Sequence, residues 1–358
     1  MMSIITRYIL KKCLFYTFLM SLATIIIITM FNILGQLGDV GKGLYTTSAM
    51  LFYSILLIPN YIYLLMPLAV LIGVMSGMLS LVNYSEYAII RTSGVSLKKV
   101  TAVLFGFGFA FSLLTFSFGE LVGPEANHYA QVYKMEKMKQ IVSTNLHSGI
   151  WSKDGANSFV NIKQVMPDNT IVGINIFIYD DDLKLKYLKS ADEGKYDENR
   201  QLWVLSHLKQ YDYTGQNIVM TEINKYEWVT AIEPSYFNVL VIAPEDMSAI
   251  SLLSYMHHLD INHQSTQRYQ IAFWNKLLYP LACISMALIA LAFIPNNRRN
   301  INLGVKLFAG ILIGVAFFFT TRLIGFMALI FAWNAIISSL TPTLILFGFG
   351  WYFIIRKE

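Results

Sequence analysis

The sequence predicts an α-helical membrane protein with six transmembrane helices and one inserted all-β domain. Three observations carry that prediction. Hydrophobic residues make up 55% of the 358-residue chain and charged residues only 14%, against about 25% charged in ordinary soluble domains. The charges are unevenly spread: positions 123–269 hold 13 Lys+Arg and 18 Asp+Glu, whereas the remainder holds 14 basic and 4 acidic residues. Long apolar runs, each able to cross a bilayer, flank that middle segment, three before it and three after it. The chain therefore divides into 1–122, 123–269 and 270–358. A net charge of +5 is then the sum of an acidic soluble part and basic loops, and says little about nucleic acid.

Arg7, Lys11 and Lys12 precede the first apolar run, Cys13–Leu34. Its 22 residues span roughly 33 Å as a helix, which fits an uncleaved signal-anchor better than a signal peptide. Gly41-Lys42-Gly43 follows in a short Gly-rich loop; its spacing is wrong for a Walker phosphate loop. Pro59 and Pro67 divide the next apolar stretch, predicting a short interfacial helix and then a span from about Asn60 to Val82. The third span, Val100–Val122, should end at Gly119–Pro124, with a helix over Ala126–Asn145 beyond it.

Strand signals fill the middle segment. Ile174, Ile176 and Ile178 alternate along one face, and further short runs occur at Phe159–Ile162, Leu202–Leu205, Ile218–Ile223 and Tyr236–Ile242. Asp180–Asp182 and Asp197–Asn199 mark turns between them. The spacing predicts a β-sandwich or an open barrel-like fold. Three spans close the chain, near Ile271–Ile294, Leu303–Ile324 and Ala335–Ile355. The basic clusters at Arg7–Lys12, Arg91–Lys99, Arg298-Arg299 and Arg356-Lys357 then share one side, which the positive-inside rule makes cytoplasmic, with both termini there. Cys13 and Cys283 both fall in apolar runs, so the β segment must fold without disulfides.

No catalytic constellation is present. His257, His258 and His263 have no acidic or thiol ligands at a metal spacing, and no nucleotide motif occurs. The polar island Asn83–Lys99 between two spans contains a short amphipathic stretch with Glu86, Tyr87, Ile90 and Arg91. It reads either as a loop that fixes topology or as a helix that docks a soluble partner. Arg322 and Glu120 lie near the outer ends of spans. Arg322 there can snorkel, pair with Glu120, or meet an anionic lipid head group.

The plan of three spans, β domain and three spans resembles the lipopolysaccharide-export permeases of the LptF/LptG (YjgP/YjgQ) family over nearly the whole chain. Ser85-Glu86 through Thr92-Ser93-Gly94 resembles the family's coupling helix, Gly119-Glu120 with Pro124 its third-span exit, and Gly149–Gly155 the start of its β-jellyroll. That last motif, with Arg268-Tyr269-Gln270, is more similar to the LptG branch than to LptF. The resemblance implies a non-enzymatic permease subunit of an ATP-binding-cassette exporter in the Gram-negative inner membrane, its β-jellyroll-like domain periplasmic. It implies pairing with LptF, ATP and Mg on an LptB dimer docked at Glu86, Tyr87, Ile90 and Arg91, an LptC subunit, and delivery through a periplasmic bridge to LptA. It also implies lateral gates at the first and fifth spans and a cavity for lipopolysaccharide lined by Asn32, Gln36, Lys42, Phe317, Phe318 and Arg322. A lipid slot in the β domain would use Phe159, Ile174, Ile176 and Ile178. Asn32, Gly38 and Asp39 stand where relatives can carry Lys, which leaves Lys42, Arg322 and Lys276 as head-group cations. The alternatives are the sister permease LptF and a membrane-anchored sensor or scaffold that transports nothing.

Overall fold

The computed structural model describes residues 4–138, 150–155, 157–166, 170–180, 182–214, 218–230, 232, 234, 243–261, 264–294 and 303–356. The chain forms two compact units. One comprises Met1–Gly35, Ser54–Asn127 and Gln267–Glu358; the other comprises Gln36–Tyr53 and His128–Thr266.

Among the described residues, six helices are long and apolar enough to cross a membrane. Helix α1 (Ile4–Gln36) buries only Ile9, Cys13 and Thr17, a single stripe at i, i+4 and i+8. That stripe lies on Gly73 and Gly77 of α3 (Ile58–Asn83), where absent side chains let two helices approach closely. Helix α2 (Thr47–Leu56) comes before α3. Pro59 sits in the first turn of α3, where its missing N–H costs nothing, so this proline separates the two helices as expected. Pro67 stays inside α3 without ending it.

After the short helix α4 (Glu86–Thr92), α5 (Leu97–Ser117) starts at Ser96, whose hydroxyl accepts from the Lys99 amide. The expected end of this span at Gly119–Pro124 is corrected. A π-helical turn over Phe118–Val122 leads directly into α6 (Gly123–Met138). Pro124 falls in the first turn of α6, where it is tolerated. The remainder of the expected helix, beyond Met138, lies outside the described residues.

The fourth span is in two pieces, α8 (Gln267–Leu278) and α9 (Ala282–Ala292), joined by a 3₁₀ turn at Tyr279–Leu281 that contains Pro280. Every residue of α9 is buried, and its small side chains make it the packed centre of the bundle. Helices α10 (Leu303–Ile330) and α11 (Ala335–Ile355) complete the unit, α11 starting at Asn334, whose side chain accepts from the amides of Ile336 and Ile337. The basic stretch Asn296–Asn300 lies outside the described residues.

The second unit contains a six-stranded antiparallel sheet in consecutive order: β1 (Ile150–Lys153), β2 (Ser158–Val165), β3 (Ile171–Tyr179), β4 (Leu185–Asp197), β5 (Leu202–Asp212) and β6 (Val219–Trp228). The order is a meander; the crossovers of a jellyroll do not occur among the described strands. The expected strand at Tyr236–Ile242 lies outside them. Three aspartates build the turns. Asp180 accepts from the amides of Asp182 and Lys184, Asp197 from those of Asn199 and Arg200, and Asp212 from the amide and hydroxyl of Thr214. These are side-chain mimics of a backbone turn. The core includes Trp203, fully buried, whose indole N–H donates to the Ile232 carbonyl at 2.7 Å. Helix α7 (Ala249–Ile261) belongs to the same unit.

Candidate coupling and substrate surfaces

Helix α4 has two faces. Tyr87 and Ile90 point into the bundle core with α3 and α9 residues, while Tyr84, Ala88, Ile89 and Arg91 are exposed. Apolar spacing alone could not distinguish a face for a partner from a face for the chain's own core. Arg91 donates to the Val95 carbonyl at 3.0 Å, which ties down the end of the helix. Glu86 is held by α1: Lys12 Nζ lies 2.7 Å from its Oε2, and the Tyr8 hydroxyl donates to the same oxygen at 2.9 Å. The Lys12 ammonium holds the Glu86 carboxyl below the usual carboxylate range, against a smaller opposing effect of burial.

The residues expected to meet lipid divide into separate groups. Phe317 turns inward and stacks on Tyr279, 6.1 Å between centroids, while Phe318 and Phe319 face outward. Arg322 is exposed and lies 5.6 Å from the centroid of the Phe318 ring, one turn before it. Gly310 and Gly314 pack against Met75 and Leu68 of α3, whereas Gly35 and Gly325 face open space. Asn32 accepts from the Ser54 hydroxyl at 3.2 Å. Lys276 is buried, its ammonium 5.8 Å from the centroid of the Tyr63 ring.

Gln36 and Lys42 are brought together through Lys134 and Asp39. Lys134 on α6 donates to Gln36 Oε1 and pairs with Asp39 Oδ2 at 2.9 Å, while Asp39 Oδ1 pairs with Lys42 at 2.6 Å. The Lys134 ammonium also faces the rings of Tyr53 and Tyr45 at 5.4 and 5.8 Å. Tyr45 is fully buried, and burial pushes its phenol up to about 12. The Lys134 ammonium thereby neutralises Asp39. Nothing in the spacing of the two segments signals that pairing.

In the sheet, Val160 and Ile162 of β2 oppose Ile176 and Ile174 of β3, while Phe159 opposes Phe177. Since successive side chains alternate faces, Phe159 stands on the other side from Ile174, Ile176 and Ile178. That other side carries aromatic pairs: Trp151 stacks on Phe177 at 5.4 Å and Phe159 meets Tyr179 edge-on at 5.9 Å. Ile174 and Ile176 are buried, and Ile178 is half-buried. Asp154, in the motif that opens the β segment, accepts from the Trp228 indole at 3.2 Å and the Thr230 hydroxyl at 2.7 Å. Its role in this geometry is to tie β1 to the far end of the sheet. Among the described residues no three His, Cys, Asp or Glu side chains gather as a metal site; His263 lies outside them.

The sequence profile of the family described as lipopolysaccharide export system permease LptF/LptG matches residues 7–356. The lipopolysaccharide export system permease protein LptG of Escherichia coli (strain K12) is 28% identical over 357 residues, covering 99% of both chains. The protein of the same name from Haemophilus influenzae is 25% identical over 358 residues, covering all of both. With six candidate spans, an inserted antiparallel sheet and a match along almost its entire length, the chain belongs to the LptF/LptG family of lipopolysaccharide export permeases.

Proposed function

We propose that this chain is the LptG-type half of an ATP-driven permease that lifts lipopolysaccharide out of the inner membrane. In this reading LptF is its membrane partner and an LptB dimer, carrying ATP and Mg, docks on α4 through Glu86, Arg91 and the exposed Tyr84 and Ile89. Tyr87 and Ile90 seat that helix on the bundle. LptC joins the complex, both termini are cytoplasmic, and the β unit is periplasmic. There it extends as a jellyroll-like slot toward LptA.

The observation that carries the reading is the uneven burial of the spans. In the most apolar stretch of α1 only 6% of residues are buried, and in α10 only 17%, against 83% in α3 and 72% in α8–α9. Within the permease family's two-subunit plan, those two open helices are the natural seams to a partner. Lipid enters at the seams these helices make with the partner, where Phe318, Phe319 and Arg322 on α10 and Asn32 on α1 would meet it; Gln36 and Lys42 are the remaining candidates for head-group contact.

The test is reconstitution of the chain with its family partner and ATPase in vesicles containing lipopolysaccharide. ATP-dependent transfer to an added periplasmic acceptor is expected, and a disulfide joining α1 to the partner's fifth span should block it. Assembly without any ATP-dependent transfer would leave a scaffold or sensor, and normal loading in the cross-linked complex would defeat the gate.

A further inference from the structure

We infer that Lys12 and Tyr8 are positioning residues that fasten α1 to α4, so that a displacement of α4 is delivered to the first span. The inference rests on the proposed function, in which an ATPase moves α4. It adds the route by which that movement reaches the gate.

Lys12 and Tyr8 lie one turn apart on α1, so both reach the same point in space. Both contact one oxygen of Glu86, Lys12 at 2.7 Å and Tyr8 at 2.9 Å. The Lys12 ammonium also lies 5.3 Å from the Tyr8 ring centroid and 5.6 Å from that of Tyr84, just ahead of α4. Four residues from two segments 74 positions apart thus close one cluster. The same stretch of α1 carries its whole buried stripe, Ile9, Cys13 and Thr17. Past Thr17 no residue of α1 is buried. The first span is therefore seated at its N-terminal half, and the point of seating is also the point of contact with α4.

The magnitude separates transmission from mere stabilisation. The Lys12 and Glu86 side chains are 22% and 32% exposed, and an ion pair this accessible contributes little to folding. A residue that matters only for stability would therefore matter little here. A residue that transmits movement would leave assembly intact and reduce work done per ATP.

The experiment uses the full complex in vesicles with Lys12→Gln, Lys12→Arg and Tyr8→Phe. For Lys12→Gln we expect assembly and ATP hydrolysis within about a factor of two of wild type. Lipopolysaccharide moved per ATP should fall at least about fivefold, the lower end for coupling between sites. Lys12→Arg should restore it, and Tyr8→Phe should give a smaller loss. A second measurement needs no transport: spin labels at Leu14 and Ile89, both exposed, give the α1–α4 distance in the intact chain. It should be narrow in wild type and broad in Lys12→Gln. Unchanged transport per ATP in Lys12→Gln, or an unchanged distance distribution, overturns the inference. So does a Lys12→Gln loss confined to assembly and thermal stability. If Lys12→Gln does not fold, Tyr8→Phe carries the same comparison. If the wild-type complex shows no ATP-driven transfer, the proposed function fails, and the distance measurement alone decides the tie.

Discussion

Gly73 of α3 lies so close to Thr17 of α1 that a Cβ placed on the glycine would stand 2.3 Å from the Thr17 Cα. Four residues on, a Cβ on Gly77 would stand 3.1 Å from the Cα of Cys13. The contact is backbone against backbone at Gly73, so α1 must move to admit even a methyl group. Gly73→Ala should lower the melting temperature of the purified chain more than Gly77→Ala. Overpacking of this kind costs about 1–3 kcal/mol. The Thr17 hydroxyl is buried without a hydrogen-bond partner, so Thr17→Ala should be neutral or stabilising. Thermal unfolding in one detergent, with all three variants compared, checks the order.

Asp39 sits between two cations, Lys134 and Lys42. Its removal leaves both without their carboxylate partner. Under the proposed function, Asp39→Asn should tighten binding of phosphorylated lipopolysaccharide and make it more salt-dependent, since exposed charges are screened. Lys42→Ala should act in the opposite direction. Affinities at two salt concentrations provide the measurement, and weaker binding by Asp39→Asn would refute a head-group role for these cations.

The Glu86 carboxyl is held below its ordinary value, first of all by Lys12. A group with a depressed folded pKa stabilises the structure above its unfolded value, about 4.3 for Glu, and that contribution fades as pH falls through the folded value. The stability difference between wild type and Glu86→Gln should therefore be flat from pH 8 down to roughly pH 5 and shrink below that. A difference that changed between pH 6 and pH 8 would assign the effect to another group.

The sheet supplies a test of sidedness. With ATP present, photo-crosslinkers at Ile174, Ile176 or Ile178 should capture lipopolysaccharide if the lipid slot is the aliphatic face. Phe159 stands on the opposite face and should not. Capture from Phe159, Phe177 or Trp151 instead would put the lipid on the aromatic side.

The spans were legible because apolar length and charge asymmetry are local properties of a sequence. Pro59 likewise marked a boundary through its own missing N–H. The π turn at Phe118–Val122 was not legible, since one extra residue in a helical turn leaves no mark on residue type, and Gly119, Glu120 and Pro124 read instead as the end of a span. The side of Phe159 was hidden for a related reason: Val160, Asn161 and Ile162 are all buried, so β2 lacks the alternation that reveals a face. The Lys12–Glu86 and Lys134–Asp39 pairs join residues 74 and 95 positions apart. Each charge alone has an adequate local explanation, in topology or in solvation.

The seating of α1 at Cys13 and Thr17 sets a mechanical scale. From Thr17 to Gln36 is 19 residues, roughly 28 Å of helix at about 1.5 Å per residue. A tilt of about 10° at the Gly73 contact would carry the far end sideways by roughly 5 Å, and about 20° by roughly 10 Å, the diameter of a helix. A rocking step of about 20° beside α4 would thus become an opening roughly as wide as a missing helix at the other end. The stiff rod between them does the amplifying, and α1 needs no hinge of its own.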